Sequence, residues 1–242
     1  MNQLKEIYEM LYSLYGPQGW WPLLELSNDR HINITKSGSL KGYHPGDYSY
    51  PKTEAQKLEI CIGAVLTQNT SWLQAEKALK ALKINNLINI DSLIKADSVK
   101  TKELIRPAGY FNQKYERLIL LAKFLKAHKG TPERDALLSI KGIGPETADS
   151  ILLYAFRVPS FVVDAYTRRI VQGLGLVVEK STYDEIKKIF EDSLKKDYKT
   201  YQEYHALLVE HAKRHYKRGD SIENCPLFQR FNKKHLLKSN HR

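Results

Sequence analysis

Residues Ser139–Asp164 read SIKGIGPETADSILLYAFRVPSFVVD, and this stretch decides the architecture. Leu137, Leu138 and Ile140 close one apolar helical run, after which Gly142 and Gly144 allow a tight turn and a close approach of backbone to a ligand. Pro145 suits the first position of a second helix, whose inward stripe is Ala148, Ile151, Leu152 and Ala155. The pair spans about 134–156. Unpaired N–H groups at the start of the second helix form an anion site next to Lys141, and phosphate is the anion such a basic chain would meet. A helix, a Gly-x-Gly hairpin and a second helix grip a nucleic-acid backbone without reading its sequence. Asp164 follows 20 residues beyond Gly144, where the apolar segment Phe161, Val162 and Val163 ends and the helix AYTRRIVQ begins.

The bulk properties agree. The 242 residues carry 38 Lys plus Arg against 27 Asp plus Glu, a formal charge of +11 with a pI near 9.4. That excess calls for an extended polyanionic partner. The start, MNQLKEIYEMLYSLY, has no apolar signal-peptide core, and no run approaches the ~18 apolar residues of a membrane span, so an intracellular protein is expected. Cys61, within an apolar helix, and Cys225 fit a reducing compartment without structural disulfides.

Helical periodicity predicts segments at 3–15, 54–66, 72–83, 91–96, 98–105, 113–128, 165–173 and 201–217, besides the hairpin pair. Thr182 with Glu185 forms a capping box ahead of Ile186, Ile189, Phe190 and Leu194. Residues 23–53 are poor in apolar side chains and read as a long surface excursion. No convincing strand pattern occurs, so the fold is expected to be all-α. Three parts are expected: 1–53 as an N-terminal helix and aromatic loop, 54–164 as the central lobe, and 165–242 as a C-terminal lobe with a basic tail.

KGIGPETAD followed by VVDAYTRRI resembles the hairpin and catalytic-aspartate signature of the helix-hairpin-helix DNA glycosylases related to endonuclease III. CIGAVLTQNTSW (Cys61–Trp72) is similar to that family's buried helix and DNA-inserted loop, and RPAGYFNQKYERL (Arg106–Leu118) to its second inserted loop. Four motifs in order, across about 54–217, are far more specific than a lone Gly-x-Gly. The resemblance implies two helical lobes with the hairpin at the cleft mouth, a base-excision activity on damaged double-stranded DNA, and a monomer.

Residue roles follow from the resemblance. Asp164 would stabilise the cationic sugar and orient the attacking water, a role compatible with capping its helix. Glu146 departs from the strand-cutting relatives, which carry a lysine there to attack the sugar; a glutamate cannot form that Schiff base. This implies a glycosylase without lyase activity, similar to the 3-methyladenine branch, although Glu146 also suits the helix dipole as a structural residue. Trp20, Trp21 and Pro22 match a triplet that helps build the base pocket in that branch, or else anchor the N-terminal helix. Tyr43, Tyr48 and Tyr50 could stack on a base or simply pack.

Gln68, next to Asn69, would fill the gap left by a flipped nucleotide and Tyr110 would wedge the opposite strand, unless both are ordinary turn residues. His211 and His215 lack the third ligand of a metal site and are expected in the core or facing DNA. Many relatives hold a four-cysteine iron–sulfur cluster; with Cys225 alone in that region it cannot be built, and Lys217 is the candidate to take its place. No cofactor is implied beyond a monovalent cation at the hairpin. The expected substrate is an alkylated purine, 3-methyladenine first. Two other readings stay open: the same chemistry on uracil, mismatched thymine or hypoxanthine, and a non-catalytic DNA-binding module.

Overall fold

Local sequence signals place the helices. Thr53 caps α2 (Glu54–Leu66) and Thr182 caps α10 (Tyr183–Ser193), each through a reciprocal capping box. Asn2, Asn89, Asp97 and Asp197 each accept a backbone N–H at the heads of α1 (Gln3–Tyr15), α4 (Ile90–Lys95), α5 (Ser98–Ile105) and α11 (Tyr198–His215). The remaining helices are α3 (Trp72–Ile84), α6 (Phe111–Ala127), α7 (Arg134–Leu138), α8 (Pro145–Ser150), α9 (Ala165–Gly173) and α12 (Pro226–Phe231). A computed structural model describes residues 2–28, 42–216 and 222–231, and it is all-helical, with no strand among the described residues.

Two helices buried almost all round organise the rest. In α2 every residue from Leu58 to Leu66 is buried, against α3, α6 and the segment after α8. In α11 every residue from Tyr201 to Ala212 is buried, against α1 and α9. The segment after α8, Ile151–Ala155, is a single π-helical turn that touches both α2 and α11, so it joins the two groups of helices. Its five residues are all buried. The predicted inward stripe is thus part of a helix end enclosed on every side. The N-terminal α1 packs on α10 and α11, and Tyr204 Oη donates to the Leu4 carbonyl at 2.8 Å.

Three local expectations change. α6 begins at Phe111 rather than near 113, because Gly109 (φ 71°) and the left-handed Tyr110 (φ 47°) turn the chain sharply into it. The helix at 72–83 is preceded in the sequence by Ser71, a plausible cap, yet Ser71 makes no side-chain cap bond to α3. The second half of the expected surface excursion is partly core: Tyr43 and His44 are buried. His44 N donates to the Gly19 carbonyl at 3.1 Å and Leu23 N to the Gly42 carbonyl at 2.9 Å, sewing the segment beneath Trp20 and Trp21. Only glycine fits at 19, where a Cβ would stand 2.3 Å from Pro45 N.

Candidate active site

Phe161, Val162 and Val163 are buried, so the chain emerges from the core at Asp164, which caps α9. Asp164 Oδ1 accepts the Thr167 N–H at 2.7 Å, while the carboxylate, 16% exposed, faces a cleft of about 1230 Å³. Both expected roles of Asp164, helix cap and cleft carboxylate, are therefore open to one side chain. His205 of α11 stands opposite, its Nε2 3.7 Å from Asp164 Oδ2. Burial alone would raise the Asp164 pKa; the His205 ring and the Thr167 amide outweigh it and hold the carboxyl below the ordinary range.

Glu146, in the first turn of α8, lines the same cleft. Enclosure by the cleft walls, then the charge of Asp164, push its carboxyl up to about 7 against the opposing pull of His205. Its side chain remains open to water, which moderates the shift. The two carboxyls are thus pushed apart, Asp164 toward the ionised and Glu146 toward the neutral form.

The two tryptophans serve different ends. Trp20 is half-buried on the cleft wall, edge-on to the His205 ring at 5.8 Å and 89°, with Lys213 Nζ 5.8 Å from its centroid. Trp21 is buried against Trp72 and Tyr154 and is also among the residues that line the cleft. Gly63 of α2 admits it, since a Cβ there would lie 3.2 Å from the Trp21 Nε1. The two indoles meet at 81°, so they do not form a pair of parallel walls. Pro22 is buried and does not line the cleft. Tyr48 donates to Glu203 at 2.7 Å and Tyr50 packs on His44 at 4.6 Å, so these tyrosines pack.

The hairpin stands at the rim. Gly142 (φ 88°) makes its turn, and a Cβ would lie 2.4 Å from Arg117 Nε; Gly144 faces open space, with Lys141 exposed. Gln68 is not free: its amide donates to the Gly142 carbonyl at 3.1 Å and Thr147 Oγ1 at 2.9 Å, while Arg117 donates to its Oε1 at 2.6 Å. Asn69 is exposed beside the cleft in a left-handed conformation (φ 51°), and Tyr110 is 65% exposed. Lys114, fully buried on α6, donates to the Leu66 carbonyl at 2.8 Å and the Ala108 carbonyl at 2.7 Å. It thereby links the turns that carry Gln68 and Tyr110.

Residues 62–196 match the HhH-GPD superfamily of base excision DNA repair proteins. The chain belongs to this superfamily. A provisionally assigned DNA repair glycosylase of Methanocaldococcus jannaschii is 41% identical over 238 residues, covering 93% of this chain and 94% of that protein. Among solved structures, the H. pylori 3-methyladenine DNA glycosylase bound to 1,N6-ethenoadenine aligns with a TM-score of 0.67 at 29% identity, covering 88% of this chain and 98% of that one. An endonuclease III trapped in a covalent complex with DNA aligns with a TM-score of 0.71 over 99% of this chain and 98% of that one. At 18% identity that likeness concerns the fold.

This HhH-GPD chain cannot hold a four-thiolate iron–sulfur cluster. It has two cysteines, and Cys61 is sealed inside α2, where burial pushes its thiol up to about 12. Cys225 instead lies 2.9 Å from His211 Nε2, and His211 Nδ1 lies 2.8 Å from Tyr15 Oη, a buried knot that ties α12 to α1 and α11. Lys217 lies outside the described residues. No metal-binding group of His, Cys, Asp and Glu occurs among the described residues, and no described helix is long and apolar enough to cross a membrane.

The cleft thus gathers Trp20, Trp21, Asn69, Glu146 and Asp164, while Gln68, Tyr110, Lys141, Gly142 and Gly144 stand outside its lining. Sequence reasoning missed His205, Lys213 and Lys114. His205 and Lys213 are eight apart in α11, on a helix read for its apolar face; Lys114 looks like an ordinary surface lysine until its two carbonyl partners are brought to it by the fold.

Proposed function

We propose that this protein is a DNA glycosylase that hydrolyses the N-glycosidic bond of damaged bases in duplex DNA, alkylated purines and 3-methyladenine first, without cutting the strand. The observation that carries the reading is Asp164: a carboxylate held toward its ionised form, capping a helix, facing a cleft walled by Trp20. A base flipped into this cleft would stack on the indole. As the glycosidic bond breaks, the base leaves with the electron pair, and Asp164 opposes the positive charge left on the sugar. Water then bonds to C1′ and gives its proton to the carboxylate. Tyr110, Gln68 and Asn69 would engage the kinked duplex, and the hairpin at Lys141, Gly142 and Gly144 its phosphates. Glu146 has no amine to attack the sugar.

A second reading, excision of a neutral base, draws on Lys213. Its amine beside Trp20 is a built-in cation on the stacking wall, which disfavours a second one, and a protonated Glu146 could donate to a neutral leaving base. The H. pylori relative, bound to 1,N6-ethenoadenine, is compatible with either substrate class.

The test is single-turnover excision on duplexes bearing one lesion each: 3-methyladenine, ethenoadenine, hypoxanthine, uracil or mismatched thymine. Products are resolved with and without alkali, and parallel samples are treated with borohydride. Preference for 3-methyladenine, alkali-dependent breaks and no trapped complex are expected. Preference for a neutral base would select the second reading, and efficient trapping would assign a lyase step, with Lys213 the amine in the cleft to replace first.

A further inference from the structure

His205 is the best-placed group in the cleft with no part in the reaction above. Its ring is buried, and its two nitrogens differ sharply. Nδ1 lies 2.7 Å from Tyr154 Oη, and the Gln202 carbonyl, the alternative acceptor for that hydroxyl proton, is farther away at 3.3 Å. Nε2 has no hydrogen-bond partner and is shielded from water, yet it faces Asp164 Oδ2 at 3.7 Å. A buried N–H left unmet is costly, and an approach of under about 1 Å closes the bond.

We infer that His205 is a positioning residue for Asp164: Nε2 holds Oδ2 of the carboxylate toward the cleft, and Tyr154 fixes the ring that does so. The inference rests on the reading of Asp164 as the reacting carboxylate. The Tyr154 hydroxyl has one proton and its nearer neighbour is Nδ1; donation there leaves the ring proton on Nε2, aimed at Asp164. With Oδ1 already held by the Thr167 N–H, each carboxylate oxygen then has a fixed donor. Trp20 packs edge-on against the His205 ring, so the stacking wall and the carboxylate share one support.

Other charges act on this pair. Glu146 of α8 repels Asp164, Lys213 of α11 attracts it, Arg169 of α9 lines the cleft, and the charge of Glu203 acts on Tyr154. His205 is the one whose partnerless nitrogen is pointed at the carboxylate.

The test compares wild type with His205→Ala, His205→Gln and Tyr154→Phe by single-turnover excision between about pH 5 and 9, alongside duplex binding and thermal melts. Without its donor, the enclosed Asp164 should titrate higher, because burial then acts on it with less opposition, so the loss in His205→Ala should be greatest at the acid end and recover toward alkaline pH. Tyr154→Phe should lie between, and Gln, which places an amide N–H near the Nε2 position, should restore part of the acid limb. Carbon-13 titration of the Asp164 carboxyl in the same proteins reads the shift without any activity. If Ala proves unfolded, Gln and Tyr154→Phe carry the comparison. An unmoved Asp164 titration, or a loss equal at every pH, would overturn the role of His205. Absence of excision by wild type with a shifted titration would instead sink the glycosylase reading alone.

Discussion

The rings of Trp20 and Trp21 meet at 81°, with centroids 6.0 Å apart, so one indole forms cleft wall and the other forms core. Neighbouring residues of identical type therefore carry separable properties. Trp20→Ala should cut excision by about tenfold or more, the equivalent of the ~1–3 kcal/mol of one base–aromatic stack, with little change in the melt. Trp21→Ala should cost about 3–5 kcal/mol of stability, as for other buried aromatics, because Trp72, Tyr154 and Gly63 close around it. Excision rates and denaturant titrations of both variants separate the two effects.

Asp164→Asn should lose about 100-fold or more in excision, since an amide cannot oppose the developing charge. Asn is as good a helix cap as Asp, so the melt should hardly move. Binding to the same lesion duplex should stay equal or tighten at low salt, because a negative charge near DNA is gone. Single-turnover rates set against binding isotherms check all three.

Asp149 of α8 is fully enclosed and accepts from Arg134 at 2.9 and 3.2 Å, from Lys187 at 2.7 Å and from Ser160 at 2.6 Å. Asp149→Ala would leave two cations facing each other without their shared anion. Removing one member of a buried ion pair costs about 3–5 kcal/mol, and denaturant unfolding should show a loss of that order. Because this network holds α8, duplex affinity should fall with it.

Burial lowers the Lys114 pKa to about 8. The cost of holding an ammonium there is therefore fully present below about pH 8 and relieved as pH rises toward the free-lysine value of about 10.4, where the unfolded chain also loses its proton. Wild type should gain stability relative to Lys114→Met across that interval. Paired denaturant melts at about pH 7.5, 9 and 10 read the difference, from which other titrating groups cancel. The Met variant should also excise more slowly, since the turns bearing Gln68 and Tyr110 lose their common tie.

What could be read in advance was local. Thr53, Asn89, Asp97 and Thr182 cap helices through neighbours three residues away, and Gly142 marks its turn by its own φ, so the helix order and the hairpin are legible in the sequence. Asp164 was legible as a helix cap for the same reason, an acidic residue where an apolar segment gives way to a helix, whereas its catalytic reading came from the family resemblance. Partnerships across long separations were not. His205 meets Tyr154 across 51 residues, and Lys114 reaches Leu66 across 48. The Trp20 and Trp21 assignment depended on which indole the smallness of Gly63 admits, a matter of three-dimensional packing. The short α12 carried too little periodicity to be read.

Part of the cleft wall is built from segments far apart in the described chain: Tyr15 ends α1 and Trp20 follows it, while His205, Lys213 and Tyr216 come from α11 and its end. A ribosome that had delivered every residue through the hairpin and Asp164 would have made the carboxylate but only part of its chamber. Contacts of such sequence separation form late and slowly. Synthesis therefore delivers the hairpin and Asp164 between the two parts of the chamber, after Trp20 and before the His205 and Lys213 that complete it.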